Sequence, residues 1–184
     1  PEAADLPDPV PPKRRGRWPA AALAAVLLLA GAAGGFALWR GTHTEVTHTD
    51  QSGFLSVTVP RGWDHEVSPS GWNPPDTTFG EAALSVGDRP DWTTSGQGVF
   101  VGLMPEDKLP THLPQHKCAK EGKPVRSTSG DPTLTVTSTG CSGAVIIERA
   151  VLVTAARLMW VQVRSDDLAT ARTVLGSVRT HLLG

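Results

Sequence analysis

Tyrosine is absent from this sequence of 184 residues, cysteine occurs only twice, and charged residues make up 19% of the chain. The formal net charge of −1 argues against a strongly basic nucleic-acid-binding protein. A hydrophobic content of 39% argues against a chain kept disordered by charge. The length fits about one domain, so a complete protein kinase, dinucleotide-binding enzyme or TIM barrel is excluded.

Known catalytic motifs are also missing. The sequence contains no Gly-x-Ser-x-Gly elbow, no glycine-rich phosphate loop with a lysine, no His-Glu-x-x-His pair and no kinase catalytic loop. We therefore expect a chain that is not an enzyme, and we predict no catalytic residue, no cofactor and no metal site.

The longest uncharged segment runs from Trp18 to Trp39 and follows the basic residues Lys13, Arg14, Arg15 and Arg17. About 20 apolar residues span the hydrocarbon core of a bilayer, and flanking cations stay on the cytoplasmic side. The pattern predicts a cytoplasmic Pro-rich and basic linker at 1–17, a transmembrane helix at 18–39, a stalk at 40–52 and an extracytoplasmic domain at 53–184. A cleavable signal peptide ending at the small residues 30–33 is the alternative.

This organisation predicts a single-pass protein of the cell membrane with a cytoplasmic N-terminus and an extracellular C-terminus. The lipid bilayer is then the first partner. Glycines at 31, 34 and 35 would let two such helices approach each other, so self-association is a further prediction.

Apolar and polar residues alternate in several segments of the second part of the chain. This alternation predicts strands at 54–59 and 133–137, and further strands are predicted at 82–86 and 98–104. Two long apolar runs, 144–153 and 158–163, are separated by a short polar segment and predict an antiparallel hairpin. A helix is predicted at the end, with Ser165 as its N-cap and an apolar stripe of Leu168, Ala171, Leu175, Val178 and Leu182. We therefore predict an α+β fold, in which a small antiparallel sheet is covered by a C-terminal helix.

The two cysteines are Cys118 and Cys141. In an extracytoplasmic domain they are expected to form a disulfide. The alternative is a metal site that combines them with His112 and His116, but the spacing matches no common zinc module.

Six of the ten aromatic residues are tryptophan, and three of them, Trp63, Trp72 and Trp92, lie in loop-like segments rich in proline and glycine. Such residues either line a ligand groove or cap a small core under long loops. We name them as the candidate groove. Lysines near Cys118, together with Arg126, form a basic loop that would meet anionic wall polymers or lipid headgroups, or is simply solvated.

The segment Phe54-Leu-Ser-Val-Thr-Val-Pro-Arg-Gly-Trp63 resembles the opening strand and turn of PsbP-like α/β domains. A longer likeness continues through Trp72-Asn-Pro-Pro75, Val99-Phe-Val-Gly-Leu103, Leu113-Pro-Gln-His-Lys-Cys118, Thr139-Gly-Cys141 and Trp160-Val-Gln-Val-Arg-Ser-Asp-Asp167. With the preceding linker and apolar segment, it resembles the C-terminal part of membrane serine/threonine protein kinases of Streptomyces-like actinobacteria.

This resemblance implies a non-catalytic sensing or ligand-binding module whose kinase domain lies upstream of Pro1. A cell-wall component or an extracytoplasmic protein would be its partner, and no nucleic acid is expected. The alternative is an envelope scaffolding or protein-interaction domain on a single-pass membrane protein without a kinase.

Overall fold

The computed structural model describes residues 44–181. This part of the chain contains ten strands: β1 Glu45–Thr49, β2 Leu55–Pro60, β3 Glu66–Ser68, β4 Ala83–Gly87, β5 Gly98–Met104, β6 Val125–Ser127, β7 Thr133–Cys141, β8 Ala144–Thr154, β9 Arg157–Ser165 and β10 Arg179–Thr180. Helix α1 is a single turn at Trp92–Ser95, and helix α2 is Leu168–Ser177. A 3₁₀ turn at Arg61–Trp63 follows β2.

The strands form two antiparallel sheets. The larger sheet has seven strands in the order β3-β4-β5-β9-β8-β7-β6, and the smaller one has the order β1-β2-β10. The predicted hairpin of 144–153 with 158–163 is present as β8 and β9, two long neighbouring strands at the centre of the large sheet. These central strands place most of the residues discussed below.

One face of the large sheet, here called the core face, is covered by the small sheet and by α2. Strand side chains alternate between the two faces of a sheet, and β4, β5 and β9 all place valines on this side. The core face packs against β2 and α2 through Leu55, Val57, Val59, Ala171, Val174 and Leu175. This apolar layer is the main core.

The opposite face, here called the loop face, is covered by irregular chain. Residues 105–124, here called the cover loop, cross β9, β8 and β7 on this side, and their Leu113 is buried against Leu134, Ala150 and Leu158. A second, smaller core therefore lies between the cover loop and the sheet. Most of the candidate site described below is built on the loop face.

The predicted α+β class is wrong, because the described chain is mostly β structure with two sheets and α2 is its only helix longer than one turn. The helix ends at Ser177 rather than continuing to Leu182. The hydroxyl of Ser177 donates to the carbonyl of Thr58 and accepts from its amide, and Arg179 then pairs with Ser56. The chain leaves the helix because β2 offers a free strand edge.

The start of α2 also differs from the prediction. Asp167, not Ser165, is the N-cap, and its carboxylate accepts a hydrogen bond of 2.7 Å from the amide of Thr170. The hydroxyl of Ser165 instead accepts from the amide of Asp167, so Ser165 supports the cap from two residues earlier.

Two domain predictions concern the N-terminal part of the chain. The predicted transmembrane helix at 18–39 and its flanking cations Lys13, Arg14, Arg15 and Arg17 lie outside the described residues. Within 44–181, no helix is long and apolar enough to cross a membrane. The predicted stalk at 40–52 needs correction, because Glu45–Thr49 forms β1 and pairs with β2 along its whole length.

Candidate ligand-binding site

The three tryptophans of the predicted groove lie in three different surroundings. Trp63 is 3% exposed and belongs to the main core. Trp92 is equally buried, but lies on the loop face over Gly98 of β5. Trp72 is half-buried and lines an open cavity. Trp72 is therefore the most exposed of the three, and we take it as the candidate for ligand contact.

Trp92 packs on the sheet because two neighbouring strands lack a side chain beneath it. A Cβ built on Gly98 would lie 2.5 Å from Cδ2 of Trp92, and one on Gly87 would also collide with the ring. The indole N–H donates to the hydroxyl of Ser85 at 3.1 Å. The ring is packed against the two glycines and its N–H is hydrogen-bonded, so Trp92 covers this part of the sheet.

Trp72 joins Phe100 and Trp160 in a group of three rings, here called the aromatic cluster. The ring of Trp72 lies 5.0 Å from that of Phe100 and 5.6 Å from that of Trp160, and the last two are 5.7 Å apart. Edge-to-face and tilted pairs at such distances are favourable. The indole N–H of Trp72 donates to the carbonyl of Leu103 at 3.0 Å, which fixes its orientation.

Sequence reasoning missed Phe100 and Trp160, although a pattern for them was present. Phe100 stands between Val99 and Val101, and Trp160 stands between Met159 and Val161. Alternation therefore places each ring on the face opposite to its apolar neighbours. Two bulky aromatic residues on the face that is not the main core indicate a second packed layer or a binding surface. All three rings of the cluster remain half-buried.

An open cavity of about 570 Å³ lies on one side of the aromatic cluster. Its walls are Trp72 and hydrogen-bonding or small residues, namely Gln51, Ser52, Pro69, Ser70, Gly71, Asn73, Gly80, Glu81 and Ala82. Glu81 forms an ion pair with Arg157 of β9, so one carboxylate at this cavity is already neutralised. Cavities that bind small ligands commonly have volumes of about 300–1,000 Å³.

A second cavity, here called the apolar cavity, lies on the other side of the cluster. It has a volume of about 190 Å³ and is lined by Pro75, Met104, Pro110, His112, Leu113, Pro114, Ala150, Leu158 and Trp160. Trp160 thus contacts Trp72 and also forms a wall of this cavity.

A buried carboxylate lies beside Trp160. Glu148 of β8 is 1% exposed, accepts a hydrogen bond from the indole N–H of Trp160, and lies 2.7 Å from Nε2 of His116 on the cover loop. Burial raises the pKa of Glu148 above its usual value of 4.5, and the hydrogen bonds from Trp160 and His116 counteract only part of that effect. The carboxylate therefore joins the cluster to the loop.

The predicted disulfide between Cys118 and Cys141 is confirmed. It fixes the cover loop to the end of β7, two residues after His116 meets Glu148. Lys120 then exchanges backbone hydrogen bonds of 3.1 and 2.8 Å with Thr139. Three contacts within five residues of the loop thus hold it on the sheet.

The alternative metal site is not formed by the residues proposed for it. Both cysteines are bonded to each other, so neither is available as a ligand. Across residues 44–181, no group of three histidine, cysteine or acidic side chains is arranged to hold a metal ion.

A histidine next to a carboxylate also occurs in hydrolytic sites, where the histidine activates a nucleophile. In the described part of the chain, no serine or cysteine side chain is hydrogen-bonded to His116, whose partner is Glu148. The His116–Glu148 pair therefore attaches the cover loop to the sheet.

No protein-family model matches the chain, and no curated protein matches it significantly. The geometry of the site and the residues themselves therefore carry the functional argument.

Proposed function

We propose that this chain is a non-catalytic ligand-binding module that works outside the cytoplasm and recognises a saccharide component of the cell envelope. The observation that carries the proposal is the position of Trp72, which lines an open cavity of about 570 Å³ among hydrogen-bonding side chains.

The chemistry of this cavity suits a sugar. A sugar ring has an apolar face of C–H groups and a rim of hydroxyls, so it needs both an aromatic surface and hydrogen-bonding partners. Trp72 supplies the aromatic surface, and Gln51, Ser52, Ser70 and Asn73 supply amide and hydroxyl groups. Phe100 and Trp160 hold the indole of Trp72 in place before the ligand arrives, which reduces the ordering cost of binding.

The disulfide supports a location outside the cytoplasm. Disulfides form and persist in oxidising compartments and are rare in the cytosol. The Cys118–Cys141 bond fixes the loop that covers the second core, so the oxidised state belongs to the folded domain. The membrane location, the sensing role and the attachment to a serine/threonine kinase stay predictions from the sequence.

The scaffolding alternative has less support. A protein-interaction surface needs a continuous apolar patch. Within residues 44–181, the exposed large hydrophobic side chains are Phe54, Val67, Phe79 and Val125. Val67 lies on β3 and Val125 on β6, which are the two opposite edges of the large sheet, so these two side chains do not form one patch.

The test is a titration of the full chain with tri-N-acetylglucosamine, a soluble oligosaccharide, followed by tryptophan fluorescence. We expect a saturable change that Trp72→Ala weakens by about tenfold or more, as expected when a central aromatic contact is removed. Asn73→Ala, at an exposed position on the same wall, should weaken it by a smaller factor. Trp92→Phe is the matched control and should bind as the unmodified chain does.

Two results would overturn this function. One is the absence of any saturable change with the oligosaccharide. The other is equal affinity of the unmodified chain, Trp72→Ala and Asn73→Ala, since the ligand would then bind elsewhere.

A further inference from the structure

The apolar cavity has a continuation toward the surface. A neighbouring cavity of about 380 Å³, here called the outer cavity, shares four of its lining residues with the apolar cavity, namely Met104, Pro110, His112 and Leu158. The outer cavity adds Glu106, Lys108, Leu109 and Thr111. Together the two cavities lead from exposed polar residues of the cover loop to apolar side chains of the sheet.

The inner end of this space is suited to an apolar group. It lies between the ring of Trp160, the aliphatic side chains of Met104, Leu113 and Leu158, and the methyl group of Ala150. Apolar protein cavities of about 150 Å³ stay dry and take up small apolar molecules such as benzene. A cavity of about 190 Å³ with this lining is therefore large enough for a ring or a short hydrocarbon chain.

Two cations lie at the outer end. Lys108 lines the outer cavity, and Arg126 of β6 donates to the carbonyl of Pro110 at 3.0 Å, which brings a second cation to the same rim. Glu106 is the acidic residue of the lining. In the described part of the chain, neither Lys108 nor Arg126 has a carboxylate within 4.0 Å. Both cations are available for an anionic group.

We propose that the apolar and outer cavities form a second binding site, which takes a small anionic amphiphile: the hydrocarbon part lies against Trp160 and Met104, and the anionic head lies near Lys108 and Arg126. This site differs in chemistry from the open cavity beside Trp72 and does not depend on saccharide binding there. The cover loop forms one wall of the site, and the sheet forms the other.

The two methionines of the chain allow a direct test, because they lie on opposite faces of the large sheet. Met104 lines both cavities, whereas Met159 belongs to the main core and is 7% exposed. The full chain is labelled with ¹³C at its methionine methyl groups and titrated with octanoate. We expect a saturable shift of the Met104 methyl resonance and no shift of the Met159 resonance.

Variants and a second probe separate the two halves of the proposal. Ala150→Leu fills the apolar cavity and should abolish the shift of the Met104 resonance on addition of octanoate. An unchanged Met159 resonance shows that this variant still folds. Lys108→Glu, at an exposed position, should weaken octanoate binding by about two- to fivefold, which corresponds to one partly exposed charge pair. Octyltrimethylammonium, which has a cationic head, should bind more weakly than octanoate by a similar factor.

A Met104 resonance that does not move, or a shift shared equally by both methionines, would overturn the site. Equal affinities for octanoate and octyltrimethylammonium would overturn the assignment of an anionic head. None of these readings depends on Trp72, so failure of the saccharide titration leaves this test intact, and the reverse also holds.

Discussion

Gly102 of β5 lies directly beneath the indole of Trp72. A Cβ built on Gly102 would lie 2.7 Å from Nε1 of Trp72 and 2.8 Å from Cζ of Phe100. No real side chain fits at that distance, so the absence of a side chain at position 102 is what allows the aromatic cluster to lie on the sheet.

The first prediction follows from this contact. Gly102→Ala should displace Trp72 and lower the free energy of unfolding by about 1–3 kcal/mol, as overpacking does. It should also weaken oligosaccharide binding. Urea unfolding and the fluorescence titration measure the two effects.

Gly176→Ala is the matched control for that substitution. Nothing lies within 4 Å of a Cβ at Gly176, which is inside α2. Replacing this glycine of the last helical turn by alanine should raise the free energy of unfolding by less than about 1 kcal/mol and leave binding unchanged. Equal effects of the two substitutions would contradict the steric role of Gly102.

The disulfide gives the second prediction. Its cysteines are 23 positions apart, and closing a loop of that size stabilises a fold by about 3 kcal/mol in the chain-entropy model. The double variant Cys118→Ser, Cys141→Ser should lose stability of that order in urea unfolding. It should also expose Lys117, Lys120 and Lys123 of the cover loop to trypsin. An unchanged cleavage rate would show that His116 and the Lys120–Thr139 pairing hold the loop without the disulfide.

The third prediction concerns Glu148. Burial raises its folded pKa above the usual 4.5, so between these two pKa values the folded state binds more protons than the unfolded state. This group therefore lowers the free energy of unfolding as the pH rises through that window, and the loss persists above it. Glu148→Gln does not titrate and should remove this decline, so its stability relative to the unmodified chain should increase as the pH rises above 4.5.

Thermal unfolding at several pH values measures this difference. Glu66→Gln, at an exposed position on β3, is the control. A stability difference between Glu148→Gln and the unmodified chain that does not vary with pH would contradict the raised pKa.

The fourth prediction concerns the opposite case at Asp167. Hydrogen bonds from Thr170 lower the pKa of this carboxyl below its usual 3.8. Its contribution to stability is therefore present above pH 3.8 and is lost as the pH falls through the folded pKa. Asp167→Asn keeps a capping side chain and should lose less stability than the unmodified chain on acidification. If circular dichroism showed that both proteins lose the same stability on acidification, the lowered pKa of Asp167 would be contradicted.

Some of this structure could be predicted from the sequence because it depends on local or unique features. The β8–β9 hairpin follows from two apolar runs around a short polar turn. The disulfide has one possible pairing within the chain, because Cys118 and Cys141 are the only cysteines.

Other features depend on contacts between distant residues. The end of α2 was misplaced because the apolar stripe continues to Leu182, whereas Ser177 turns the chain toward Thr58, 119 positions away. Phe100 and Trp160 meet because β5 pairs with β9 in a register that aligns Gly102 with Trp160. No local pattern specifies that register, and none specifies that Glu148 meets His116, 32 positions earlier.

A saccharide ligand is expected to contact the aromatic cluster and not the buried tryptophans. The most direct measurement is an indole ¹⁵N–¹H spectrum of the full chain, titrated with tri-N-acetylglucosamine. Binding at the aromatic cluster predicts saturable shifts of the Trp72 resonance, with smaller shifts of the Trp160 resonance, and none for Trp63 and Trp92. Unchanged indole resonances, or shifts of Trp63 and Trp92 as large as that of Trp72, would contradict it.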